Sequence, residues 1–118
     1  MSTTVHVIAR ARVKPGMEDT AREAIQELTD FCRASEPALQ TYEFYLDESG
    51  KELVAIETYR DADGVLAHNT DGHNERFFQA VEITGVEFFG PVTDELMRTW
   101  RGWGLNPVLH QRVGGFAR

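Results

Sequence analysis

Two histidines, His68 and His73, stand five residues apart in the segment 66–78, LAHNTDGHNERFF. Imidazoles at such a spacing suggest metal ligation, acid–base work, or no chemistry beyond a helix end. A metal pair on one helical face needs a spacing of three or four. Five residues turn a helix through about 500°, which separates the two rings. Gly72 interrupts the helix, so convergence stays open, but no third ligand stands at a recognisable spacing. The reading is therefore no metal site. His68 fits an acid–base role better, because an imidazole titrates near neutrality. The alternative is a ring packed at a helix end on a backbone carbonyl. His73 either starts the next helix or touches a substrate.

Glu57 and Tyr59 share one face of an apolar strand, VAIETY. A carboxylate in such a strand is rarely there for packing. It either orients a histidine or holds a substrate hydroxyl, or it sits at an edge and pairs with Arg10 or Arg12. Tyr42, Phe44, Phe77, Phe78, Phe88 and Phe89 supply aromatic rings for a pocket wall or for plain core. Cys32 is the only cysteine, so no intrachain disulfide or thiolate zinc cluster is expected. It falls on an apolar helix face and reads as an inert core thiol. Trp100 and Trp103, in TWRGWG, mark either an interface or ordinary packing.

The elements that must position these residues follow from periodicity. Residues 3–13 alternate, with Val5, Val7, Ala9, Ala11 and Val13 on one side, and predict a strand ended by Lys14-Pro15-Gly16. Apolar residues at spacings of three and four predict a helix over 17–34. Glu18 and Asp19 in its first turn and Arg33 near its end suit the helix dipole. Residues 39–47 and 51–60 predict a hairpin around Asp47-Glu48-Ser49-Gly50. Asp61 caps a short helix at about 62–69, Gly72 breaks it, and a second piece runs over about 73–81. A strand at 86–92 follows. In the tail, 93–118, a helical turn and an extended PVLHQRV are expected. The order β-α-β-β-α-β is the ferredoxin-like split βαβ: an α+β fold with an antiparallel sheet and helices on one face. Its strands are apolar on both faces, so the uncovered face needs a partner, and a second copy of the sheet is the simplest one.

Composition bounds the rest. One domain fits 118 residues, and 42% apolar with 26% charged residues is ordinary globular usage. A net charge of −7 without a basic cluster argues against nucleic acid and against an anionic membrane surface. No stretch approaches transmembrane length and no secretory signal is visible, which makes the cytoplasm the expected location.

The segments VIARARVKPGMEDTAREAIQEL and YEFYLDESGKELVAIETYRDADGVLAHNTDGHNERFF resemble the antibiotic biosynthesis monooxygenase family. The resemblance spans roughly residues 5–92: strand, lysine-proline-glycine join, acidic-started helix, hairpin, Glu-x-Tyr strand end, histidine-bearing helix. It implies a dimeric α/β barrel with a pocket between sheet and helices. It also implies oxidation of a small phenolic or quinol-type aromatic by molecular oxygen, with no metal, haem or flavin cofactor. His68 occupies the family's histidine position and would be the base. Glu57 would act beside it, and Tyr59, Tyr42, Phe44, His73 and Phe77 would shape the pocket. Other members of the resemblance imply other uses: an isomerase or lyase for a small carbonyl compound, or a dimeric binder without chemistry. The haem-degrading branch is not matched, since His6, Ile8 and Arg10 stand where its strand asparagine would be.

Overall fold

The computed structural model of the protein describes residues 2–70 and 74–118. Strand β1 (Val5–Val13) follows from the valine–alanine alternation, with Val5, Val7, Ala11 and Val13 buried. Helix α1 (Glu18–Ser35) buries Ala21, Ala24, Leu28 and Cys32 on one stripe. Strands β2 (Leu39–Leu46) and β3 (Glu52–Tyr59) form the hairpin. In its turn the Asp47 carboxylate accepts from the Ser49 hydroxyl at 2.7 Å and the Glu52 amide at 3.2 Å. Helix α2 (Ala62–Thr70) is capped as expected: Asp61 Oδ1 accepts from the Gly64 amide at 2.9 Å. Helix α3 (Glu75–Ala80), strand β4 (Val81–Phe89), helix α4 (Asp94–Gly102) and strand β5 (Val108–His110) complete the order.

The sheet runs β2-β3-β1-β4-β5, antiparallel except for the β4–β5 pair. This is the expected ferredoxin-like α+β sheet with an added edge strand. All four helices pack on one face, where Val65, Phe77, Leu96 and Trp100 meet the inward residues of β1, β3 and β4. The opposite face carries Ile56, 40% exposed, with Tyr45 and Val108 more open still. Among the described residues, no helix is long and apolar enough to cross a membrane.

Two boundaries differ from the sequence reading. The last strand begins at Val81 and ends at Phe89, rather than spanning 86–92, and the preceding helix stops at Ala80. Val81 and Ile83 pair with Val13 and Ala11 of β1, so a tertiary partner overrides helical spacing. At the other end Gly90 turns the chain at φ +117, where a Cβ would meet the Thr4 carbonyl oxygen at 2.6 Å. In the tail the expected helical turn is a nine-residue helix, and the expected extended segment holds the short strand β5. Thr93 caps α4 by accepting from the Leu96 amide at 3.1 Å, and β5 lies against β4. The expected break at Gly72 lies outside the described residues.

Candidate active site

Helices α1 and α2 bring together two residues 32 positions apart. The Glu36 Oε1 atom lies 2.7 Å from His68 Nδ1. Glu36 is the C-cap residue of α1, and His68 lies in the last turn of α2. Their side chains retain only 12% and 6% exposure, so this pair is shielded from solvent. At that distance the carboxylate holds the proton on Nδ1 and leaves Nε2 as the basic nitrogen. Nε2 has no hydrogen-bond partner among the described residues, and His68 lines a cavity. The approach of α2 to the chain that follows α1 depends on Gly64: a Cβ there would lie 2.8 Å from Ala38 Cβ.

Cys32 joins the same cluster. Its thiol donates to Glu36 Oε2 at 3.2 Å, and Sγ is 3.7 Å from His68 Nδ1. The expectation of an inert core thiol holds for burial, since Cys32 is 1% exposed, but not for its surroundings. The arrangement is not a nucleophilic triad. Thiol and carboxylate meet the same ring nitrogen, whereas a triad places the ring between nucleophile and carboxylate.

Glu57 and Tyr59 form a second polar pair on β3. The Tyr59 hydroxyl donates to Glu57 Oε1 at 2.5 Å, and both side chains are buried. Burial pushes the Glu57 carboxyl above the usual carboxylate range, and the nearby Glu36 charge adds to this. The His68 charge and the Tyr59 hydrogen bond pull the other way without prevailing. Burial, then the Glu57 charge, holds the Tyr59 phenol well above its ordinary value. The alternative partners for Glu57 are excluded: Arg12 pairs with Glu52 at 3.0 Å and Arg10 lies 3.7 Å from Glu87.

A cavity of about 360 Å³ lies between sheet and helices. That is the size of a small-molecule pocket. Glu57, His68, Tyr42, Phe44 and Phe77 all line it. The His68 ring meets Tyr42 edge-on, with centroids 5.2 Å apart. Tyr59 is not on the wall; fully buried, it backs Glu57. His73 lies outside the described residues. The tail supplies wall residues: Trp100 and Trp103, which the sequence reading leaves as interface or packing, and Leu105. Among the described residues, three buried polar atoms of lining residues find no hydrogen-bond partner: Asn69 Nδ2, Asn74 Oδ1 and Trp100 Nε1. Buried polar groups are nearly always satisfied, so such a cluster beside an apolar cavity fits a place where a ligand completes the structure.

Glu36 is the functional residue the sequence reading missed. Its one local signal is the four-residue spacing from Cys32 on α1, which puts both on one helix face. What makes it a site residue is the approach of α2, and that is a tertiary fact.

Comparison with known proteins places this geometry. The family model described as "Antibiotic biosynthesis monooxygenase" matches residues 4–80, more than half of the chain. Among solved structures, MupZ from Pseudomonas fluorescens is similar at TM-score 0.80 and 21% identity, covering 99% of this chain and 96% of that one. SnoaB from Streptomyces nogalater, a cofactor-independent oxygenase, is similar at TM-score 0.66 and 13% identity, covering 78% and 96%. Rv0793 from Mycobacterium tuberculosis gives TM-score 0.63 at 23% identity, covering 77% and 97%. At these identities the likeness is one of fold. No curated protein sequence matches the chain.

Proposed function

The chain belongs to the antibiotic biosynthesis monooxygenase family, and from that premise we propose that it oxidises a small phenolic or quinol-type aromatic with molecular oxygen, using no cofactor. The observation that carries this reading is the 2.7 Å contact between Glu36 and His68 at the edge of a largely apolar cavity. His68 Nε2 removes the substrate proton, and Glu36 stabilises the imidazolium that results. The ring anion gives up an electron to oxygen far more readily than the neutral phenol. The apolar wall keeps water from the intermediates. Glu57, its proton affinity raised by burial and its Oε1 bonded to the Tyr59 hydroxyl, borders the cavity where oxygen charge would develop. The similarity to SnoaB supports the absence of a cofactor from the reaction.

A second reading is favoured by one observation: two proton-exchanging groups, the His68 imidazole and the buried Glu57 carboxyl with its raised proton affinity, border the same cavity. Removing a proton at one point and supplying one at another is what an isomerase or lyase acting on a carbonyl compound requires. Oxygen consumption with a panel of quinols, with and without His68→Ala, tests the first reading. A His68→Ala rate equal to wild type removes His68 from the chemistry. Product formation in the absence of oxygen transfers the proposal to the second reading.

We also propose a homodimer formed through the outer sheet face. Ile56 and Tyr45 are exposed there, and an apolar sheet face left open to water is costly.

A further inference from the structure

We infer that Cys32, Glu36 and His68 form a binding site for a divalent cation of the zinc class. Their ligand atoms all lie within 4.8 Å of one another. A thiolate, a carboxylate and an imidazole are the three ligand types zinc takes, and three protein ligands leave one position open. The geometry is close to what the ion needs. Bonds of about 2.0–2.3 Å at tetrahedral angles set neighbouring ligand atoms about 3.3–3.6 Å apart. The edges from Cys32 Sγ measure 3.7 Å to His68 Nδ1 and 3.2 Å to Glu36 Oε2, while His68 Nδ1 meets the other carboxylate oxygen, Oε1, so the carboxylate must turn for one oxygen to serve both edges. The Glu36–His68 edge is shorter, 2.7 Å, because a proton sits in it. It opens when a cation takes the place of that proton.

Charge favours the exchange. The thiol proton leaves, the ring proton passes from Nδ1 to Nε2, and a doubly charged ion takes the place of both. Thiolate, carboxylate and cation then sum to zero, which a shielded site requires. Two ligands stand four apart on α1 and the third on α2, so both helices already hold the set in place. The Glu36 side chain, 12% exposed, gives the ion a route from solvent. A hydrogen-bonded acid–base pair needs only Glu36 and His68, whereas the convergence of a sulfur on the same nitrogen suits a metal.

Occupancy and base catalysis exclude one another, since a metal on Nδ1 leaves the proton on Nε2. That consequence rests on the proposed function, while the binding itself does not. Cobalt(II) titrated into chelator-treated protein tests the binding without substrate. The expected result is a saturable one-to-one complex with intense tetrahedral visible absorption and a sulfur-to-cobalt charge-transfer band. Glu36→Gln should weaken binding at least tenfold, and Cys32→Ser should abolish the charge-transfer band. Zinc should also protect the single thiol of the wild-type protein from a disulfide reagent, which needs no variant to fold. The weak spectrum of the aqueous ion, or a thiol equally reactive with and without zinc, would overturn the inference.

Discussion

Glu36 and His68 sit 2.7 Å apart although neither belongs to an element that pairs with the other's neighbours in a sheet. Their contact is made by the end of one helix reaching the end of another. In the proposed reaction Glu36 acts through His68, as a positioning residue. Glu36→Gln keeps the shape, loses the charge and should lower kcat about 10- to 100-fold with KM little changed. Steady-state oxygen uptake reads both constants, and partial recovery in Glu36→Asp would separate a lost charge from a lost fold.

Glu57 makes stability depend on pH in a direction opposite to that of a salt-bridged carboxylate. Its folded-state pKa is raised by burial above the ordinary glutamate value of 4.5. Below that value both folded and unfolded chains hold the proton, and burial costs nothing in charge. As pH rises through it, the unfolded chain ionises first, and stability falls until the folded carboxyl also ionises. Glu57→Gln has no proton to lose. Its melting temperature relative to wild type should therefore rise as pH is raised from 4 towards neutrality in a buffer series. A constant difference across the series would refute the assignment.

Gly64 sets how closely α2 approaches the chain after α1. Gly64→Ala places a methyl 2.8 Å from Ala38 Cβ and should cost about 1–3 kcal/mol in urea denaturation. It should also slow turnover, because the helix that carries His68 moves away from Glu36. Ala38→Gly added to it restores the space. Recovery of both stability and rate in the double variant is the expected outcome.

Zinc added to the protein should slow the proposed oxygen uptake, and a chelator should restore it, if the metal and the proton compete for Nδ1. Cys32→Ser should lose most of the zinc sensitivity while retaining turnover without metal. Inhibition unchanged in that variant would place the inhibitory ion elsewhere.

Ile56 stands on β3 between Ile8 of β1 and Glu43 of β2, in the middle of the uncovered sheet face. Ile56→Arg puts a charge there that a second sheet cannot bury unpaired. Light scattering coupled to size-exclusion chromatography should give twice the 13.3 kDa chain mass for wild type and a single chain for the variant. A wild-type protein of one chain mass at micromolar concentration would end the dimer proposal.

The fold was legible where a residue's neighbours in sequence decide its environment. The alternation of Val5 to Val13 and the apolar stripe from Ala21 to Cys32 need only periods of two and 3.6. Residues 81–85 were misread because Val81 and Ile83 take their conformation from β1, far off in sequence. The site divides the same way. His68, Glu57, Tyr42, Phe44 and Phe77 could be named because a polar group in an apolar strand or a ring in a motif stands out locally, and all five border the cavity. Glu36 at a helix end looks like any solvated carboxylate until α2 is folded against it. Cys32 looks like core for the same reason.

The cavity draws on two stretches of chain with different tasks. The groups proposed to handle protons lie between residues 36 and 68, whereas part of the wall comes from Trp100, Trp103 and Leu105, beyond the span 4–80 that the family model matches. Reaction and fit are thus written in separate segments. A family member that stopped after the fourth strand would keep the same proton machinery above an open trough. Exchanging residues 94–110 for another sequence would recast the mould around the ligand and leave the machinery as it stands.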